Sequence, residues 1–276
     1  MPIISFWNGT NEQCGTTSAS AAFATQLAIE HNIKILLIST SFNDSLINDC
    51  FWKKEKKSIF FAKASHGVET AGIEGLNRLI RSNRMTPNSI TDYTRVVLTN
   101  RLEIIPGIEG NIEQFDLVKG QYLQIIEQAG KYYDMVIVDL DNAIGEHSVI
   151  EILKKSDIVV AMVSQRSNKI IEIRDLINNK DYLKEEKTLI TIGNYMKASK
   201  YNSKNITRNI LKKKNIINTI PYNNLFFEAS QEGKIIDLFL KIMNLDERKE
   251  DYFLVAEIKR LYENINTKLR MSKMMR

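Results

Sequence analysis

Val136-Ile137-Val138 and Ile158-Val159-Val160 are apolar at every position. A strand with one wet face alternates apolar and polar residues. A strand that does not alternate is buried on both faces, which requires helices on both sides of a parallel sheet. Comparable short runs recur along the chain and predict strands at Ile3–Trp7, Lys34–Ser39, Leu102–Pro106, Met135–Leu140, Ile158–Val163, Leu189–Gly193 and Ile216–Ile220. Amphipathic segments between them predict helices at Ser18–His31, Gly72–Ser82, Asn111–Ala129, His147–Lys155, Ile170–Asn178 and Asn202–Lys213. This alternation specifies an α/β, doubly wound, mostly parallel sheet flanked by helices. With 276 residues and 43% hydrophobic content there is material for one large domain over 1–245,. A C-terminal amphipathic, basic helix is expected over 246–276. The stretch Cys50–Asn100 is less regular. Trp52, Phe60 and Phe61 flank a lysine-rich piece there, which fits a surface insertion or a partner-binding element.

The first strand leads into the segment with the most chemical content, Ile3-Ile4-Ser5-Phe6-Trp7-Asn8-Gly9-Thr10-Asn11-Glu12-Gln13-Cys14-Gly15-Thr16-Thr17-Ser18. It is laid out as a phosphate-binding loop: strand, polar loop, then a small-residue helix whose first amides point at the loop's contents. A working loop carries G-x-x-x-x-G-K-[ST]. Here Thr16 stands at the lysine position and Thr10 at the first glycine, with Gly9 one residue early. Gly15 still permits the tight turn, and the amides of Thr16, Thr17 and Ser18 still face the cavity. The Thr17 hydroxyl is a magnesium ligand by type. Asp139, at the end of a buried strand, is placed to hold a magnesium-bound water. Asn194 offers both faces of an amide to a base edge, and Pro221 with Tyr222 would wall that base.

In this order the pieces resemble the MinD/ParA family of deviant-Walker ATPases, over nearly the whole chain up to about Lys241. The family's K-G-G-x-G-K-T-[TS] falls on Asn11-Glu12-Gln13-Cys14-Gly15-Thr16-Thr17-Ser18, so neither lysine is present. The aspartate that usually follows the second strand is replaced by Ser39-Thr40-Ser41. Asp139, Asn194, Ile220-Pro221-Tyr222 and Glu228-Ala229-Ser230-Gln231-Glu232-Gly233 do match. The eroded loop is most similar to the TadZ/CpaE-like branch, associated with placing tight-adherence (Flp-type) pilus machinery. The resemblance implies ATP and Mg2+ as cofactors and a nucleotide site at Gly15, Thr16, Thr17, Ser18, Asn194, Pro221 and Tyr222. Thr17 and Asp139 would serve the metal. It also implies a homodimer and a pilus or secretion assembly as partner. Each missing charge-assisted phosphate contact is worth roughly 1.5–3 kcal/mol. The expectation is weak or absent ATP binding, little or no hydrolysis and no catalytic residue. An active ATPase switch with substitute residues is the alternative.

Composition narrows the setting. There is no apolar run of about 20 residues to span a membrane, and no secretory leader. Cys14 and Cys50 suit a reducing compartment. His31, His66 and His147 form no metal spacing, so a cytoplasmic protein is expected,. The net charge of +5 is concentrated at Lys53-Lys54-Glu55-Lys56-Lys57, Lys212-Lys213-Lys214 and the last ten residues. Solvated surface explains such clusters, and nucleic acid is not an expected partner. From Asp251 to Met275, Leu254, Ile258, Leu261, Ile265 and Leu269 form one apolar stripe. It ends in Lys268, Arg270, Lys273 and Arg276. That stripe suits either packing on protein or a peripheral contact with the inner face of a membrane.

Overall fold

The computed structural model describes residues 1–10, 12–53, 72–208 and 217–274. Asn11, most of the lysine-rich piece after Lys53 with Phe60 and Phe61, His66, Lys212-Lys213-Lys214, Ile216 and the last two residues therefore lie outside the described residues. Among those described, eight strands form one sheet: β1 (Ile3–Trp7), β2 (Ile35–Ser39), β3 (Arg95–Leu98), β4 (Leu102–Ile105), β5 (Met135–Leu140), β6 (Ile158–Val163), β7 (Thr188–Tyr195) and β8 (Asn218–Pro221). Their spatial order is β3-β4-β2-β5-β1-β6-β7-β8. Every pairing is parallel except the edge pairing of β3 with β4. β1 is central, with Phe6 opposite Asp139 on one side and Val160 on the other.

Side chains alternate across the sheet into two cores, as the strand period of two requires. Ile3, Trp7, Leu36, Ile38, Val136 and Val138 face one side. There they meet α3 (Ile73–Arg81), α4 (Ile112–Val118), α5 (Tyr122–Ala129), α6 (Glu146–Lys155) and α7 (Ser167–Asn179). Ile4, Phe6, Ile35, Leu37 and Ile137 face the other. That side holds α1 (Thr16–Glu30), α2 (Leu46–Phe51), α9 (Asn224–Glu232), α10 (Ile235–Ile242) and α11 (Tyr252–Met274). A short α8 (Ser203–Ile206) follows β7. In α1, Ala19, Ala21, Ala22, Ala24 and Ala28 are all buried. Their small side chains let the helix axis lie close to the sheet, so the helix is apolar nearly all round.

The structure departs from the expected elements in several places. The expected helix Asn111–Ala129 is two helices, separated by a tight turn at Lys119–Gln121. Gly120 lies in that turn, where its low helix propensity lets the axis break. The edge strand β3 and helices α2, α9 and α10 carry too little periodicity to be found by pattern. Asn223 begins α9 by accepting from the Phe226 amide (2.8 Å), and Gly233 ends it in the left-handed region.

The C-terminal helix is part of this core. Leu254, Ile258, Leu261 and Ile265 are 0% exposed. Gln26 donates to the Val255 carbonyl (3.1 Å), and Tyr262 packs on Phe23 and His31. The apolar stripe considered for a membrane surface is thus spent inside the protein. No helix among the described residues is long and apolar enough to cross a membrane. Truncating Leu261 to alanine would leave a cavity under α1 and cost about 2–5 kcal/mol. Urea unfolding should show a clearly lowered midpoint, and an unchanged midpoint would mean that α11 is dispensable.

Candidate functional site

Parallel strands of this topology leave a crevice beyond their carboxyl ends, and ligands bind there. In this protein the crevice is a cavity of about 660 Å³. The exits of β1, β2 and β5 bring Asn8, Asp44, Asp139 and Asp141 to it. The loop and first turn of α1 supply Glu12 to Ser18, β7 supplies Asn194, and the α9 region supplies Tyr222, Phe227, Ser230 and Gln231.

Gly15 precedes α1 with φ +73°, in the left-handed region that glycine adopts without strain,. A Cβ there would meet the Asn194 side chain at 3.0 Å. At Gly193 a Cβ would run into the Cys14 carbonyl, so the loop lies directly on the exit of β7. Two motifs about 180 residues apart in the sequence are therefore in contact. Asn194 itself has φ +48°. The first turn of α1 has no side-chain cap and no acidic residue. Its leading amides lack intrahelical partners and carry the positive end of the helix dipole.

The loop is held by its own side chains. Asn8 Oδ1 accepts from the Thr10 amide (2.9 Å) and hydroxyl (3.0 Å), while its Nδ2 donates to the Glu12 carbonyl. Trp7 Nε1 donates to Asn142 Oδ1 (2.9 Å), and Asn142 Nδ2 donates to the Asn8 carbonyl (3.0 Å). The Glu12 carboxylate accepts from the Ser164 hydroxyl and from Arg166 (3.1 Å). Lys169 reaches the Thr10 carbonyl (3.4 Å). These contacts tie the described loop residues to one another and to the residues after β5 and β6.

Asp139 is 3% exposed and accepts from the hydroxyls of Thr17 and of Ser39 (3.1 Å). Burial pushes its carboxyl up to about 7. The two hydroxyls pull against that, and Asp141 and Asp44 add repulsion. Ser39, where the resemblance would place an acid after the second strand, donates to Asp139 (3.1 Å) and is hydrogen-bonded to the Ser41 hydroxyl (2.9 Å).

The expected residues are distributed as follows. Gly15, Thr16, Thr17, Ser18, Asn194, Asp139 and Tyr222 all line the cavity. Pro221 does not: it is buried in β8 opposite Tyr195, so of that motif only Tyr222 reaches the site. Gln231, from the matching Glu228–Gly233 segment, lines the cavity too, and Asp44, Asp141 and Phe227 are cavity residues outside the expected set. Position shortly after β2 and β5 is the sequence signal that marks Asp44 and Asp141. Glu12, Asp44, Asp139 and Asp141 put four carboxylates in the lining, and no described lining residue is Lys or Arg.

No protein-family model matches the chain, and no curated protein matches it. Solved structures do. The ParA family ATPase from Chlorobium tepidum TLS superposes with a TM-score of 0.68, at 16% identity, over 97% of this chain and 98% of that one. A putative plasmid partition protein from Borrelia burgdorferi B31, bound to AMPPNP, gives 0.59 at 20% identity over 99% of both chains. The septum site-determining protein MinD from Pyrococcus horikoshii OT3, complexed with Mg-ADP, gives 0.57 at 14% identity over 87% of this chain and 93% of that one. The fold is that of the ParA and MinD ATPases.

The raised Asp139 pKa has a consequence for stability. The native state holds this proton more tightly than the unfolded chain, so the contribution is fully present below the unfolded pKa and is lost as pH rises through about 7,. Asp139→Asn should therefore become progressively more stable relative to wild type between roughly pH 4 and 7, with the difference levelling off above that,. Thermal unfolding of both proteins across that range would show it. A constant difference would exclude an elevated Asp139 pKa.

Proposed function

We propose that this protein is a ParA/MinD-fold scaffold that positions a partner assembly without hydrolysing ATP. One observation carries the proposal: the cavity where that fold would hold a nucleotide is lined by four carboxylates and by no described Lys or Arg. Helix amides and dipole together offer about half a unit of positive charge. Arg166 neutralises Glu12, yet Asp44 and Asp141 remain in the cavity lining. Like charges in a partly desolvated cleft repel strongly.

The two halves of the expected site fare differently. Thr17 and Asp139 lie in contact, a pairing compatible with Mg2+,. The loop residues do not fit the phosphates of ATP, and no catalytic step is derived through them. The loop's internal contacts support the same reading, because its side chains bond to one another and only the α1 amides are left to meet an anion. The partner class we propose is a pilus or secretion assembly of the Flp/Tad type, supported by the likeness of the eroded loop to the TadZ/CpaE-like branch.

Calorimetric titration with Mg-ATP should give no binding at millimolar nucleotide, and phosphate release should stay at background. Thr16→Lys restores one charge-assisted contact worth roughly 1.5–3 kcal/mol, so it should bind ATP at least about tenfold more tightly than wild type. Magnesium-dependent turnover by the wild type, abolished by Thr17→Ala, would instead establish the active switch.

A further inference from the structure

The acidic cavity has an apolar rim. Tyr222 and Phe227 line it and are each 54% exposed, beside the exposed carboxylates Asp44 and Asp141. Two exposed aromatic rings sharing a cavity lining with carboxylates, and with no Lys or Arg among its described residues, suit a partner that is both cationic and apolar, since aromatic faces attract cations and methionine sulfur,. In a chain of net charge +5 this mouth is a local exception.

The complementary surface is on the same molecule. α11 is packed on the core as far as Leu269. Beyond it Arg270 is exposed, and so are Met271 (58%) and Met274 (85%), with Lys273 between them in sequence. α11 begins at the cavity end of the sheet, where Asn223 Nδ2 donates to Asp251 (2.8 Å). It then runs alongside β8 in the opposite direction. Glu257 accepts from Thr219, Asn264 donates to Asn218 (2.7 Å), and Lys268 caps the Glu185 and Glu186 carbonyls just before β7. Seventeen residues of helix separate Asp251 from Lys268, about 25 Å. The basic tip therefore projects from the end of the sheet opposite the cavity and cannot reach the mouth of its own molecule.

We propose that the mouth formed by Asp44, Asp141, Tyr222 and Phe227 receives the Arg270–Met274 tip of α11 from a second copy, joining copies head to tail. The contact is heterologous, so each copy keeps one free mouth and one free tip. Assembly then continues into a filament or closes as a ring. A twofold dimer through the loop face would instead oppose two carboxylate-lined mouths with no cation among the described lining residues. The inference needs only the charge of the mouth and goes beyond the scaffold reading. The contact is small compared with a standard stable interface, so it should be weak, salt-sensitive and dependent on concentration.

Sedimentation velocity on the full chain tests it with two variants. A tip variant, Arg270→Glu with Met274→Glu, retains a working mouth. A mouth variant, Asp44→Lys with Phe227→Glu, retains a working tip. Wild type should form species larger than a dimer as concentration rises, and added salt should dissolve them. Each variant alone should be monomeric, with self-association weakened about tenfold or more. Mixed together they should stop at a one-to-one heterodimer, because one live mouth meets one live tip. Far-ultraviolet circular dichroism checks that both variants fold. A monomeric wild type, a symmetric dimer unaffected by either variant, or a tip that binds anionic phosphatidylserine vesicles with no self-association would each overturn the proposal. A parallel Mg-ATP titration separates the two readings. ATP binding with head-to-tail assembly intact removes the scaffold reading alone, and absent ATP binding with no assembly removes this one alone.

Discussion

The position of β1 between β5 and β6 is the constraint on which the remaining geometry depends. Its backbone is fully paired on both edges and its side chains are buried on both faces, so its exit point is fixed. That exit starts the loop, and the same register sets Phe6 beside Asp139 and Ser39 across from it on β2. The three inner strands consequently end at one level, where Asp44, Asp139 and Asp141 gather around the first turn of α1. A one-residue slip would turn every apolar side chain of β1 to the wrong core. The hydrophobic pattern therefore fixes the site as firmly as it fixes the fold.

On this frame two electrostatic tendencies oppose each other. The helix N-terminus and the glycine turn form an anion-attracting cradle by backbone geometry alone, and any sequence able to make the turn inherits it. The side chains have reversed the sign of the surroundings. Glu12 is anchored away on Ser164 and Arg166, Asp139 is buried among hydroxyls, and Asn8 closes the loop on itself. The backbone cradle offers about half a unit of positive charge, whereas Asp44 and Asp141 each bring a whole negative one. The mouth's character therefore follows its carboxylates and its two exposed rings, and the backbone geometry supplies only the container.

Much of this was legible beforehand where one physical signal dominated. The apolar runs located β1, β5 and β6 with the observed bounds, because strands buried on both faces are mostly apolar at successive positions,. The α1 segment was recognisable from its small residues, and the stripe from Leu254 to Leu269 from its helical period. Less was legible where several weak signals compete. β3 is an exposed edge strand of mixed composition, and α2, α9 and α10 are too short for periodicity to stand out. The break at Gly120 hid inside a continuous apolar pattern. Pro221 looked like a cavity residue because a strand end is near the site, yet the residue faces Tyr195 and only its neighbour Tyr222 turns outward.

The sequence by itself determined the parallel sheet, the order of its central elements, the loop with no lysine at Thr16 and the basic end of the chain. These follow from local composition and period, which act over a few residues. Tertiary structure alone decided that Gly15 rests on Asn194 and that Asp44 and Asp141 share a wall with Asp139. It also decided that the α11 stripe is consumed by the core, leaving the basic tip at the far end from the cavity. Each depends on chain segments tens to hundreds of residues apart meeting in space, and linear spacing does not encode such meetings. They emerge when the two cores close over the faces of the sheet and fix which side chains are left at its ends.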